Sequence, residues 1–107
     1  MSRAGALKSI TTEKDILRII KPEGRWIGAD GTRGTVRMFK GNHKTAEQCF
    51  QKLVKDAEFY FQNEKIKIYK LADGSRIAYR KISTSGLPTI DIDIPSMESN
   101  IKIKFKE

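Results

Sequence analysis

Apolar and polar residues alternate through the last third of the chain, and this pattern restricts the fold more than any other. The alternation runs through Arg76–Ile82, Ile90–Ile94 and Ile101–Phe105, with an earlier run at Lys65–Leu71. A period of two residues is typical of a strand with one buried face and one exposed face. The four runs therefore predict a meander of antiparallel strands, with the Asp-Gly turn at 72–75 joining the first two.

Two helices are predicted upstream of these strands. Thr12-Glu-Lys-Asp15 has the spacing of a capping box, so a helix is expected over 12–20 and should end before Lys21-Pro22. A second helix is expected over 44–60, with Asn42 as its N-cap. Its apolar positions recur at helical spacing: Ala46, Cys49, Phe50, Leu53, Val54, Ala57 and Tyr60.

The segment between the helices begins with a glycine-rich stretch and ends with a more apolar one. Residues 23–34 contain four glycines and surround Trp26, without a dinucleotide or Walker phosphate-binding pattern. A connecting loop is expected there, followed by a short strand over Thr35–Phe39. Together these elements predict an α+β domain, in which two N-terminal-half helices pack on a four- to five-stranded antiparallel sheet. Residues 12–107 form one domain in this interpretation, and residues 1–11 form a flexible lead.

Composition narrows the classes of function. The 107 residues carry a formal charge of +8, and the isoelectric point near 9.7 is in the range of nucleic-acid-binding domains. No apolar run approaches the roughly 20 residues of a membrane span, and no membrane partner is expected. The single cysteine, Cys49, excludes an internal disulfide, and no Cys/His cluster points to zinc. We expect no metal and no cofactor.

A phosphate site is predicted between two of the strands. Arg80, Ser83, Ser85 and Thr89 surround the Ser-Gly-Leu-Pro turn. Guanidinium and hydroxyl groups at one sheet edge can hold phosphate oxygens, because Arg offers a planar pair of donors. The same residues are also ordinary loop formers, since hydroxyls cap turns for local reasons.

His43 is the single histidine, and its imidazole is suited to acid–base chemistry near neutral pH. It precedes the second predicted helix, where a solvated polar residue is equally ordinary. Without it, acid–base work would fall to Tyr79, Lys81 or Glu23, although Tyr79 alternates into the predicted core. Five basic residues are further candidates for phosphate contacts, although a lone arginine such as Arg25, Arg33 or Arg37 could equally be a solvated surface charge: Arg25, Arg33, Arg37, Arg76 and Lys81. Trp26 and Phe39 could stack on bases or simply be buried.

Several segments resemble the C-terminal toxin domains of bacterial polymorphic toxins, including those of contact-dependent growth inhibition systems. The similarity lies in Asp73-Gly-Ser-Arg-Ile-Ala-Tyr-Arg80, in the Ser-Gly-x-Pro step within Ser83–Ile92, and in the final Ile101-Lys-Ile-Lys-Phe105. Arg25-Trp-Ile-Gly28 is similar as well, and the start of the first helix weakly resembles tRNA-cutting colicin domains. The resemblance covers roughly residues 12–107, but only the last third is distinctive.

This resemblance implies a metal-independent ribonuclease of the barnase–EndoU–colicin–RelE type. Such an enzyme would cut RNA, with tRNA as the expected substrate, by using the RNA 2′-hydroxyl as nucleophile. It would be secreted as part of a larger effector and delivered to the cytoplasm of a target cell. An acidic immunity protein would neutralise it, and a host translation factor is a further candidate partner.

Two other classes of function stay open at this point. A non-catalytic, basic nucleic-acid-binding module would explain the charge and the strands equally well. A protein-interaction domain could use its positive charge for solubility or for an acidic partner. A toxin should kill cells on expression and be rescued by its partner, whereas neither alternative should do so.

Overall fold

A computed structural model describes residues 10–31, 34–82 and 86–107 of the chain. Within these ranges there are two α-helices, a 3-10 turn at Pro22–Gly24 and seven strands. The helices are α1 (Glu13–Ile20) and α2 (His43–Leu53). The strands are β1 (Ala29–Asp30), β2 (Val36–Lys40), β3 (Glu58–Gln62), β4 (Lys67–Lys70), β5 (Arg76–Arg80), β6 (Thr89–Asp93) and β7 (Ile101–Lys106).

All seven strands form one mixed sheet in the order β1-β2-β7-β6-β5-β4-β3. β2 and β7 run parallel, with Arg37 opposite Ile103 and Phe39 opposite Phe105. The other neighbouring strands are antiparallel. The predicted four- to five-stranded antiparallel sheet is therefore wrong, because β2 joins through a parallel contact and β1 and β3 extend the two edges.

The predicted arrangement of two N-terminal helices is also wrong. α2 ends at Leu53 rather than at residue 60, and it lies between β2 and β3 in the chain. Aromatic side chains favour strands over helices, and Phe59-Tyr60-Phe61 pairs with β4 instead of continuing the helix. The helical spacing of Ala57 and Tyr60 was a coincidence that the downstream strand pairing overrides.

Side-chain caps fix where each helix begins. The Asp15 carboxylate accepts the backbone N–H groups of Thr11 at 3.0 Å and Thr12 at 3.1 Å. These bonds hold the pKa of Asp15 below its ordinary value. Asn42 caps α2, since its Oδ1 accepts from the N–H groups of Lys44 at 3.0 Å and Thr45 at 3.1 Å. Both predicted helix starts are thus close to the observed ones.

The core lies between the helices and one face of the sheet. Buried side chains of α1 and α2 pack against alternate residues of the central strands. Ile10 is also buried there, and its N–H donates to Asp56 at 3.0 Å. Residues 1–9 of the predicted flexible lead lie outside the described residues. The main core residues are Ile16, Ile20, Phe50, Leu53, Ile77, Ile90, Ile92, Ile101, Ile103 and Phe105.

The opposite side of the sheet, which we call the open face, carries most of the basic strand residues. Strand alternation places there the residues next to the core positions, and neither helix packs on this side. Its members include Lys70, Arg76, Ala78, Arg80, Thr89, Asp91, Lys102, Lys104 and Lys106. The fold therefore separates an apolar face under the helices from a charged face.

Candidate functional site

A cleft of about 320 Å³ opens at one end of the sheet, where α2 begins, β5 and β7 end and β6 begins. We call it the strand-end cleft. The residues that line it come from four separate parts of the chain: Gly41, Asn42, His43, Lys81, Ile82, Gly86, Leu87, Pro88, Phe105 and Glu107. Both His43 and Lys81, which were predicted separately as acid–base candidates, line this cleft.

Backbone hydrogen bonds hold His43 in this position. The N–H of Gly41 donates to the carbonyl of Lys106 at 3.0 Å, which ties the start of α2 to the end of β7. The Tyr79 hydroxyl donates to the carbonyl of His43 at 3.3 Å. Gly41 has φ of 152°, and a Cβ at this position would lie 2.7 Å from the Thr45 side chain. Only glycine fits this turn without strain, so the entry to α2 is closely defined.

The strand-end cleft contains an ammonium group, a carboxylate and the positive end of a helix dipole. Lys81 lines the cleft, and the positive end of the α2 helix dipole lies at Asn42 and His43. The Glu107 carboxylate lines it too and supplies a second group able to accept a proton. An imidazole, an ammonium group and a helix N-terminus together can bind a phosphate and move a proton at it.

Tyr79 supports the cleft from the core. Its side chain is buried, and its ring lies 5.6 Å from that of Phe50. Burial raises the pKa of the Tyr79 phenol above its ordinary value of 10.0, and the negative charge of Glu47 raises it further. The phenol therefore stays neutral at physiological pH, and the prediction that Tyr79 belongs to the core is confirmed.

Arg80 follows Tyr79 and therefore points to the open face, away from the helices. Its Nε lies 3.0 Å from Oδ2 of Asp91, while 45% of the Arg80 side chain is exposed. Thr89 is opposite Arg80 in the β5–β6 register, so the structure brings this predicted pair together. The Thr89 hydroxyl is buried, however, and donates to the carbonyl of Leu87 at 3.0 Å. A local turn already uses that hydroxyl.

The predicted catalytic set is thus divided between two surfaces. His43 lines the strand-end cleft, whereas Arg80 and Thr89 lie on β5 and β6 of the sheet. Ser83 and Ser85 lie outside the described residues. Among the described residues, the titratable side chains that line the cleft are His43, Lys81 and Glu107.

The arginines predicted to contact RNA differ in their exposure. Arg37 is buried, and its guanidinium donates to the carbonyls of Ile27, Gly28 and Gly34 and to Asp30 at distances of 2.6–3.1 Å. These bonds hold the β1–β2 connection and leave no place for a phosphate. Arg25 and Arg76 are exposed, and Arg33 lies outside the described residues.

The two aromatic residues proposed for stacking serve the core. Phe39 packs against Phe105 with ring centroids 5.9 Å apart. Trp26 is half-buried beside the core, and the Lys21 ammonium lies 4.6 Å from its ring. The exposed aromatic residues of β3 were not predicted, because the second helix was expected to continue to residue 60; their strand-forming composition was the signal that could have found them.

Within the described ranges, no group of three or more His, Cys, Asp or Glu side chains is arranged to hold a metal ion. The same part of the chain contains no helix with the length and apolar character to cross a bilayer. No protein-family model, no curated protein and no solved structure matches this chain.

Proposed function

We propose that the protein is a metal-independent endoribonuclease whose chemistry takes place in the strand-end cleft. The observation that carries this proposal is that His43, at the N-terminus of α2, and Lys81 line the same cleft. The formal charge of +8 supports a polyanionic substrate. RNA fits this chemistry because it contains its own nucleophile, so that the protein needs to supply only proton transfer and charge stabilisation.

In the proposed reaction, the 2′-hydroxyl oxygen attacks the adjacent phosphorus and the bond to the 5′-oxygen breaks. Neutral His43 accepts the 2′-hydroxyl proton, with Glu107 as the other possible base in the cleft. Lys81 and the α2 N-terminus stabilise the added charge on the phosphate oxygens. The leaving 5′-oxygen takes a proton from Lys81 or from water, which gives a 2′,3′-cyclic phosphate and a free 5′-hydroxyl.

Arg80 has a separate part in this proposal. Its half-exposed guanidinium on the open face would contact a phosphate of the bound RNA outside the strand-end cleft. It would hold the strand in place without touching the reacting atoms. A loss of Arg80 should therefore weaken RNA binding more than it slows the chemical step.

A toxin role is the biological setting that we infer from the sequence resemblance. In that setting, tRNA is the substrate, and the domain travels within a larger secreted effector to the target-cell cytoplasm. An acidic immunity protein would cover the basic surfaces, because complementary charge speeds association and fixes orientation. A host translation factor would be needed only if the purified domain fails to cut RNA that it cuts in cell extract.

Total bacterial RNA incubated with the purified protein and EDTA, and then resolved on a denaturing gel, tests the proposal. The parent should give discrete fragments, and His43→Ala should slow their formation by about 10²- to 10⁴-fold. Lys81→Ala should also be slow. Lys55→Ala, an exposed lysine beyond the other end of α2, is the matched control and should cut at the parent rate.

Intact RNA in buffer and in cell extract would overturn the nuclease proposal. Equal cutting by the parent, His43→Ala and Lys81→Ala would move the reaction away from the strand-end cleft. A second function, a non-catalytic nucleic-acid-binding module, is favoured by the basic residues of the open face. That function predicts salt-dependent RNA binding, no fragments, and no growth defect on expression.

A further inference from the structure

A β-bulge in β3 changes which way its aromatic side chains point. The pairing of β3 with β4 shifts between Phe59 and Phe61. Phe59 lies opposite Tyr69, and the two rings meet edge to face with centroids 5.7 Å apart. Tyr69 in turn contacts Phe50 of α2, so Phe59 is on the helix side of the sheet.

The next two aromatic side chains both lie on the open face. Phe61 is opposite Ile68, which pairs with Ala78 in the open-face row. The Tyr60 ring lies beside two open-face cations, Lys70 and Arg76. A regular strand would point consecutive side chains to opposite faces, whereas a bulge can redirect one of them. The bulge therefore creates a pair of adjacent rings on one surface.

This pair of rings is exposed and is flanked by positive charge. Tyr60 is 49% exposed and Phe61 is 44% exposed. The Arg76 guanidinium carbon is 4.9 Å from the centre of the Tyr60 ring, and the Lys70 ammonium is 5.7 Å from it. We call Tyr60, Phe61, Lys70 and Arg76 the aromatic platform.

The two cations of the aromatic platform face each other in the β4–β5 register. Each also has an acidic residue opposite it on its other neighbouring strand, Glu58 for Lys70 and Asp93 for Arg76. Opposite charges in such positions favour the sheet, which offsets the repulsion between the two cations. Among the described residues, no carboxylate lies within 4.0 Å of either cation, since the ion pairs involve other side chains. No close ion pair therefore has to break before either cation contacts a phosphate.

We propose that the aromatic platform binds unpaired bases of single-stranded RNA, with the adjacent phosphates at Lys70 and Arg76. Exposed rings stack on bases of any sequence, and nearby cations follow the backbone. A duplex would offer its phosphates but not its base faces, so single strands should be preferred. The proposal shares with the proposed function only the premise that RNA is the ligand, and binding here requires no catalysis.

The aromatic platform is a different place from the strand-end cleft. Arg76 and Arg80 are the two ends of β5 and are separated by four residues, or ~13 Å along the strand. Both point to the open face. A single strand that lies across the sheet could therefore contact Arg80 and the aromatic platform together, which would increase affinity without changing the chemical step.

Fluorescence anisotropy with a labelled 2′-O-methyl oligonucleotide of about 10 nucleotides tests this inference. The 2′-O-methyl group blocks the proposed nucleophile, so binding is measured without cleavage. Tyr60→Ala and Phe61→Ala should each raise Kd by about 5- to 100-fold, as expected for the loss of one stacked base. Phe59→Ala removes the neighbouring exposed ring on the other face and should keep Kd within about twofold of the parent.

The cations and the form of the RNA provide further comparisons. Lys70→Gln and Arg76→Gln should each lower the slope of log Kd against log salt by about one. A duplex of equal length should not distinguish Tyr60→Ala from the parent. Equal Kd values for the parent, Tyr60→Ala and Phe61→Ala would overturn the aromatic platform, as would an equal loss for Phe59→Ala.

This experiment separates the two proposals. If RNA cutting depends on His43 and Tyr60→Ala binds RNA as the parent does, the nuclease proposal is supported and the aromatic platform is refuted. If binding depends on Tyr60 and RNA stays intact in every condition, the aromatic platform is supported and the nuclease proposal is refuted.

Discussion

Nε of Arg80 lies 3.0 Å from Oδ2 of Asp91, and this pair joins β5 to β6 on the open face. The two side chains differ in their surroundings, because that of Asp91 is 10% exposed and that of Arg80 is 45% exposed. Oδ1 of Asp91 has no hydrogen-bond partner in the described part of the chain and lies 3.9 Å from the Lys102 ammonium. The buried carboxylate therefore depends mainly on Arg80.

The first prediction concerns the stability of Arg80→Ala. Removal of the guanidinium leaves the Asp91 carboxylate buried without its main partner, so the free energy of unfolding should fall by about 1–2 kcal/mol. The double variant Arg80→Ala/Asp91→Ala should recover part of this loss. Urea denaturation of the parent, both single variants and the double variant measures the coupling. If Arg80→Ala is as stable as the parent, the Asp91 carboxylate does not depend on Arg80. Lys102→Ala is the control and should change the free energy of unfolding little.

This prediction also affects how nuclease assays should be interpreted. A loss of cutting by Arg80→Ala can reflect partial unfolding as well as a lost phosphate contact. The cutting assay should therefore use a temperature at which the denaturation curve shows the variant to be folded.

The second prediction distinguishes a structural arginine from one that binds RNA. Arg37→Ala removes a buried guanidinium from three carbonyls and Asp30, and the free energy of unfolding should fall by about 2–4 kcal/mol. Arg37→Lys should recover only part of this loss, because one ammonium cannot reach all four acceptors. Thermal and urea denaturation provide the measurement. A stable Arg37→Ala variant with a smaller salt dependence of RNA binding would instead make Arg37 a phosphate contact.

The third prediction is a dependence of stability on alkaline pH. The folded protein holds the Tyr79 proton more tightly than the unfolded chain does, because the pKa of the folded phenol is raised above 10.0. Its stabilising contribution is complete below about pH 10 and is lost as pH rises through the folded pKa. Tyr79→Phe should therefore reduce the loss of stability as pH rises above about 10.

At neutral pH the same variant loses only its hydrogen bond to the His43 carbonyl, which should lower the free energy of unfolding by about 0.5–1.5 kcal/mol. Denaturation at pH 7 and at a series of alkaline pH values measures both effects. If the free energy of unfolding falls equally with alkaline pH in Tyr79→Phe and in the parent, the raised pKa of Tyr79 is refuted as the cause.

The fourth prediction tests the turn that positions His43. A Cβ at residue 41 would contact the Thr45 side chain and would force alanine into an unfavourable φ of 152°. Gly41→Ala should lower the free energy of unfolding by about 1–3 kcal/mol and displace the start of α2. If the cleft is the active site, cutting should fall even at temperatures where the variant is folded. Gly34→Ala is the matched control, since nothing lies within 4 Å of its added Cβ.

Local sequence patterns were sufficient for some elements and not for others. The isoleucine alternation correctly identified β5, β6 and β7, and the capping residues placed the starts of both helices. The strand β3 was missed because Ala57 and Tyr60 continue a helical spacing. The parallel contact of β2 with β7 could not be predicted from local patterns, because its partners are more than 60 residues apart in the chain.

The candidate site shows the same division between local and long-range information. Arg80 and Thr89 were expected to be neighbours, since they flank a turn between consecutive strands, and they are opposite each other in the register. His43 and Lys81 line the same cleft because α2 packs against β5, and no spacing in the sequence encodes that packing. The acceptors that hold Arg37 are near it in the chain, but the loop conformation that gathers them around the guanidinium was not predicted.

The position of β7 has a consequence for the way the chain must assemble. Among the described strands, β7 is the last in sequence, yet it lies between β2 and β6 and joins the two parts of the sheet. Until Ile101–Lys106 leaves the ribosome, the β1–β2 ribbon and the β3–β6 meander cannot be joined into one sheet. Contacts between distant parts of a chain form slowly, so the finished surface, with its cleft, should appear only after synthesis of this strand is complete.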